Sequence, residues 1–228
     1  RLSVDMHVAS ADTAAARNLM LAVERGHLEV EAVVATPYAS GLAVLEEDEA
    51  DQGVVVVDCG GGTTSVAVFR GGYLQHVDAV AVGGHHVTMD IARGLTMRLE
   101  DAERLKALAA SCYDDSAADR EMITIPQSGD DERSTAAYVP RSHVTRIVRP
   151  RVEEILELVR DRVRNAGFGA ILNRGVVLTG GASQLTGVQP LAQGILARQV
   201  RLGRPLALKG MPESAKSPAF AATVGLLI

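Results

Sequence analysis

The stretch from Val54 to Val68, VVVVDCGGGTTSVAV, constrains this chain more than any other. A β-branched run bounded by Gly53 and by a run of glycines predicts a short buried strand, and the alternating residues after it predict a second strand folded back on the first. Gly60, Gly61 and Gly62 can adopt the positive φ of a tight hairpin, and their bare backbone lets N–H groups approach an anion closely. Thr63 and Thr64 add hydroxyl donors suited to a phosphate. Asp58, at the strand tip, is placed to hold a magnesium ion through water, because Mg2+ keeps much of its hydration shell. A glycine-rich hairpin with a capping aspartate would read the same way, so this motif alone leaves both meanings open.

A second glycine corner follows the same grammar. Val176 to Leu185, VVLTGGASQL, is a β-branched strand running into Gly180 and Gly181, with a helix expected from about Thr186. Paired glycines there let a nucleotide base or sugar lie against bare backbone. Between the corners, LEDAERLKALAAS predicts a helix that carries Glu103 and Lys106 on one face, where they could reach ribose hydroxyls and base edges. An ordinary solvated i,i+3 salt bridge is the competing account of that pair.

Composition narrows the class. With 228 residues, 47% hydrophobic and only 3% aromatic, the chain has a core of mostly Ala, Val and Leu to bury. A formal charge of −5 gives no global attraction for nucleic acid, and no apolar run approaches the roughly 20 residues of a transmembrane helix. Cys59 and Cys112 lack metal-ligand spacing and suggest a reducing compartment. Adjacent His85 and His86 do not share a helix face and suit the start of a helix better than a metal site. The acidic run Glu46, Glu47, Asp48, Glu49 and Asp51 reads as a solvated connector. The opening RLSVDMHVAS alternates like a strand, and a helix is expected from Asp12 to Arg25 with Gly26 as its C-cap. Neither a start methionine nor a signal-peptide pattern is seen, which suggests a fragment.

Downstream, a short strand is expected at Glu121 to Pro126, and QSGDDERS at 127–134 as a hairpin tip or loop. After Pro140 a long helix is expected, with Val144, Ile147, Val152, Ile155, Val159 and Val163 at helical spacing and Pro150 removing one backbone donor and kinking it. Its arginines are placed to pair with nearby acids, Arg149 with Glu153 and Glu157 with Arg160.

Taken in order, these motifs resemble the second half of the actin-like ATPase superfamily, and within it the FtsA family of bacterial cell-division proteins. The segments that carry the resemblance are 7–45, the VDCGGGTTSVAVFRGG hairpin, AVGGHHVTMDIARGL at 81–95, IVRPRVEEILELV at 147–159, and VVLTGGASQLTGV with the terminal TVGLLI. The fold it implies is α/β, an actin-like (ribonuclease H-like) lobe with an inserted α+β subdomain and a remnant of the first lobe. Residues 1–50 would be part of the family's insertion subdomain and a first-lobe strand and helix. Residues 51–95 and 173–228 would form the lobe core, and 96–172 the inserted subdomain.

The resemblance also implies ATP or ADP with Mg2+ as cofactors, and it adds Gly83, Gly84, Ala182 and Ser183 to the nucleotide contacts. Implied partners are the acidic C-terminal tail of FtsZ, further copies in actin-like filaments, and other division proteins. Arg141, Arg146 and Arg149 would form a basic rim for the tail, Arg141 foremost. Membrane contact would run through a segment outside these residues. The family's first phosphate hairpin is likewise not seen, so these residues alone are expected to bind ATP poorly. Thr36 and Pro37 stand where strongly hydrolysing relatives carry a water-orienting Gln or Glu, which implies weak ATPase activity. A pilus assembly protein, a chaperone, a sugar kinase or a pure interaction module are the alternatives the glycine loops leave open.

Overall fold

The structure is a computed structural model and describes residues 2, 4, 6–113, 120–125, 137–196, 199–206 and 208–228. In chain order it forms α1 (Thr13–Glu24), α2 (Thr36–Val44), α3 (Glu47–Gln52), β1 (Val54–Cys59), β2 (Thr64–Arg70) and β3 (Tyr73–Val80). Next come α4 (Gly84–Gly94), α5 (Leu99–Ala109), β4 (Met122–Ile125), β5 (Ala137–Pro140) and α6 (Arg141–Asn165). The chain continues through α7 (Gly169–Leu172), β6 (Val176–Thr179), α8 (Val188–Ile195), β7 (Val200–Leu202) and α9 (Ala221–Gly225).

The central sheet has the order β3-β2-β1-β6-β7. β1 pairs antiparallel with β2, Cys59 opposite Thr64, and parallel with β6, Asp58 opposite Thr179. All six residues of β1 are buried because both faces of the sheet are covered. Val54 and Val56 face a layer with Ala43 and Val44 of α2 and Ala221 and Val224 of α9. Val55 and Val57 face the opposite layer, built from Ile91 of α4, Val148 and Leu156 of α6 and Val188 of α8. Two glycines bring α2 into close contact. A Cβ at Gly41 would meet the Phe69 ring at 2.4 Å, and one at Gly225 would stand 1.7 Å from the Ala39 carbonyl oxygen.

α6 presents Val144, Val148, Val152, Ile155, Leu156, Val159 and Val163 to the core and continues through exposed Pro150. The spacing-based ion pairs form, Arg149 with Glu153 at 2.8 Å and Arg160 with Glu157 at 4.0 Å. β4 and β5 pair antiparallel beside it, and the expected hairpin tip at 127–134 lies outside the described residues.

Three expectations are corrected. The described residues of the alternating opening segment join no ladder, and Leu2, Val4, Met6 and Val8 stand exposed, since alternation makes a strand only where a partner edge takes up its N–H and C=O groups. α1 starts as expected, with Asp12 Oδ1 accepting the Ala15 N–H at 2.9 Å, but the left-handed residue after it is His27 (φ 58), not Gly26. The acidic run is largely solvated, as expected of a connector, but it is helical and folds as α3. The Glu46 N–H donates to Glu49 Oε2 at 3.1 Å, the acids of the first turn suit the helix N-terminus, and Glu49 also pairs with Arg201.

Candidate functional site

Parallel pairing of β1 with β6 fixes where the two glycine corners lie: both leave the carboxyl ends of adjacent strands. In α/β sheets a crevice outside those ends is where ligands settle. Here it is a cavity of about 470 Å³ lined by Gly60, Gly61 and Thr64 of the first corner and Gly181 and Ala182 of the second. The corners touch through α4. The N–H groups of Gly84 and His85 donate to the carbonyls of Gly60 and Gly61 at 2.9 and 2.8 Å, and a Cβ at Gly84 would stand 2.9 Å from Ala182 Cβ.

The first corner does not turn by positive φ, as the sequence suggests; Gly60, Gly61 and Gly62 all have ordinary φ. Glycine is needed there for proximity. A Cβ at Gly60 would lie 2.9 Å from the Thr63 carbonyl oxygen, and one at Gly83 would lie 2.6 Å from that of Gly61, whereas Gly61 and Gly62 face open space. The left-handed residue belongs to the second corner, Gly180, with φ 84 and ψ 164. A Cβ on it would stand 2.4 Å from Asp58 Oδ1 and 2.6 Å from the Cys59 carbonyl oxygen.

Asp58 sits beneath the cavity rather than in its wall, buried, with Ser40 Oγ donating to its Oδ2 at 2.5 Å. Burial pushes its carboxyl up and the Ser40 hydrogen bond opposes that. Among the described residues no basic side chain forms an ion pair with it. One oxygen held by Ser40, the other beside the bare Gly180 backbone, suits a hydrated magnesium ion linked to a phosphate. Thr64 is fully buried and donates its hydroxyl to the Val82 carbonyl at 2.8 Å, so it braces the loop; Thr63 is exposed. Ser183 likewise turns inward to the Gly180 carbonyl at 2.7 Å.

Glu103 and Lys106 line the cavity as a network, not as a free surface pair. Lys106 Nζ donates to Glu103 Oε2 at 2.8 Å, to Thr88 Oγ1 at 2.8 Å and to the Gly84 carbonyl at 3.1 Å. Burial would raise the Glu103 carboxyl, but hydrogen bonds from Lys106 and from Thr88 hold it below the usual carboxylate range. His86 Nδ1 accepts the Gly83 N–H at 3.1 Å, so the histidine pair does start the helix. The Cys59 thiol lines the cavity, yet burial first and then the Asp58 charge push it up to about 12.

The rest of the wall was not visible in the motifs. Ala107 of α5, Ala110 just after it, Val152, Ile155 and Leu156 of α6, and Leu185 and Val188 add apolar side chains to the lining. The Cys112 N–H donates to the carbonyl of Thr186, itself a lining residue, at 2.8 Å. The arginines lie elsewhere: Arg141 donates to Glu121 at 2.8 Å and to the Ala109 carbonyl at 3.0 Å, and Arg149 pairs with Glu153.

A family model described as Cell division protein FtsA matches residues 55–225. The chain belongs to the FtsA family. The FtsA of Rhizobium meliloti (strain 1021) is 56% identical over 227 residues, covering 100% of this chain and 51% of the relative. That of Escherichia coli (strain K12) is 35% identical over 232 residues, with 100% and 55% covered. The chain thus spans about half the length of the curated FtsA relatives it matches. Among solved structures, MreB5 of Spiroplasma citri bound to ADP aligns with a TM-score of 0.74 at 16% identity, covering 96% of this chain and 65% of that one. A PilM-PilN type IV pilus biogenesis complex aligns at 0.66 and 19% identity, covering 93% and 56%. These likenesses show an actin-like fold for this FtsA-family chain. Among the described residues no helix is long and apolar enough to cross a membrane.

Proposed function

We propose that these residues form the nucleotide-gripping lobe of a cell-division scaffold that binds ATP or ADP with Mg2+ and hydrolyses ATP weakly. One observation carries the reading: one cavity is lined together by bare glycine backbone, a Glu-Lys pair and apolar side chains. Backbone N–H groups suit phosphates, the polar pair suits ribose, and the apolar side chains suit a purine. The volume falls within the roughly 300–1,000 Å³ of small-molecule sites. Asp58 would hold the magnesium through water, and the ion would screen phosphate charge. The absence of a Gln or Glu at Thr36 and Pro37 supports nucleotide as a ligand that selects a conformation over one rapidly turned over. Residues 51–95 and 173–228 would be the lobe core, 96–172 the inserted subdomain, and 1–50 the remnant of the insertion subdomain and of the first lobe.

In this reading the FtsZ tail docks on the inserted subdomain near Arg141, Arg146 and Arg149, copies assemble into actin-like filaments with other division proteins, and the membrane is reached through a segment outside these residues. The test of the site is a titration of a fluorescent ATP analogue into the full-length protein. Ala107 lines the cavity from an exposed position, so Ala107→Trp should fill the cavity and abolish binding without lowering the melting temperature. Unchanged affinity in that variant would refute the assignment.

A further inference from the structure

We infer that Ser40 is a positioning residue for Asp58: its buried hydroxyl fixes one carboxylate oxygen and turns the other toward the seam between the two glycine corners. The inference rests on reading the cavity as a nucleotide and magnesium site. Ser40 is 0% exposed and lies on α2, whose other buried residues are Pro37, Ala39, Gly41, Ala43 and Val44. A serine inside a helix ordinarily returns its hydroxyl to the carbonyl four residues earlier. Here the hydroxyl reaches out of the helix to Asp58 Oδ2 at 2.5 Å, across 18 residues of sequence.

The donor's position is held from both sides. The preceding residue's carbonyl, on Ala39, abuts Gly225 of α9, and the following residue, Gly41, abuts the Phe69 ring of β2. Neither contact leaves room for α2 to slide, so the point from which Ser40 donates is fixed relative to β1. A carboxylate turns easily about its last torsion. With Oδ2 anchored, Oδ1 stands where it meets the Gly180 backbone, 2.4 Å from the site a Cβ would take. Nothing in the glycine motifs points to Ser40; only the packing of α2 against the end of β1 does.

The test uses full-length protein and measures how binding of a fluorescent ATP analogue responds to Mg2+, with a chelator arm and a melting curve for each variant. Asp58→Asn should abolish the Mg2+ response. Ser40→Ala, a substitution that suits a buried helix, should raise the Mg2+ concentration for half response about tenfold, the worth of one hydrogen bond to a charged group. Affinity in chelator should stay within about twofold of wild type. Ser40→Cys keeps the size and a weak donor, and should recover part of the response. A wild-type Mg2+ response in Ser40→Ala, alongside its loss in Asp58→Asn, would overturn the inference. So would equal weakening with and without Mg2+, which marks a merely structural role. Wild-type protein that binds no nucleotide would instead remove the parent reading, and this inference with it.

Discussion

Gly180→Ala separates the scaffold of the site from its surface. At φ 84 and ψ 164 the backbone lies in a region open almost only to glycine, so alanine there carries strain of about 1–3 kcal/mol. Its Cβ would also stand 2.4 Å from Asp58 Oδ1 and 2.6 Å from the Cys59 carbonyl oxygen. One is a carboxylate anchored by Ser40 and the other is main chain, so neither swings away, and overpacking of this kind costs a further ~1–3 kcal/mol. The smaller figures sum to about 2 kcal/mol and the middle ones to about 4. For a unit of this size each kcal/mol lowers the melting temperature by about 2–4 °C, which predicts a fall of about 4–16 °C. Gly61→Ala is the control, because nothing lies within 4 Å of its would-be Cβ and its φ is ordinary. Thermal melts of the two variants, with and without nucleotide, make the comparison. Gly61→Ala should melt like wild type yet lose nucleotide affinity, its methyl intruding on the phosphate loop. A Gly180→Ala protein that melts within 1 °C of wild type, or a Gly61→Ala protein equally destabilised, would refute the reasoning.

Asp58→Asn should stabilise the nucleotide-free protein near neutral pH by about 1 kcal/mol, as removal of strained function often does. The sign follows from burial, which raises the folded carboxyl above its unfolded value. Ionisation therefore disfavours the fold above both values and has no effect below the unfolded one, so the gain should fade as pH falls through the carboxylate range. A gain that grows on acidification, in melts across that range, would contradict this. Lys106→Met should weaken nucleotide binding about tenfold by removing the hydrogen bonds to Gly84, Thr88 and Glu103, and calorimetry showing unchanged affinity would exclude it. Arg141→Glu should weaken binding of an FtsZ tail peptide in low salt and less so in high salt, whereas Glu121→Gln, which releases Arg141 from its ion pair, should not. Equal fluorescence anisotropy curves for Arg141→Glu and wild type would remove that residue from the interface.

Much of the site was readable because its chemistry is written in short local signals. β-branched runs ending in glycine pairs mark strand tips, and Asp58, Gly60, Gly84, Glu103, Lys106 and Gly181 all converge as those signals suggest. What stayed hidden depends on tertiary neighbours. Whether Gly60 turns by φ or yields space to Thr63 depends on a carbonyl three residues on. Whether Thr64 faces a ligand or Val82 is decided by the β2–β3 pairing, and Ser40 gains its role only when α2 lies across β1. The apolar wall from Val152, Ile155 and Leu156 is equally silent, since core and cavity residues share one helical spacing. The opening alternation misled because pattern specifies which face is apolar, not whether an edge is present to pair with.

Three close approaches in this fold are main chain against main chain: Gly83 on the Gly60 and Gly61 carbonyls, Gly180 on that of Cys59, and Gly225 on that of Ala39. Joints of this kind are specified by omission. They have no rotamers to readjust and no side-chain chemistry to drift, so the frame tolerates wholesale replacement of residues around it. That gives a physical route by which the same scaffold can be shared with MreB5 and PilM while fewer than one residue in five coincides.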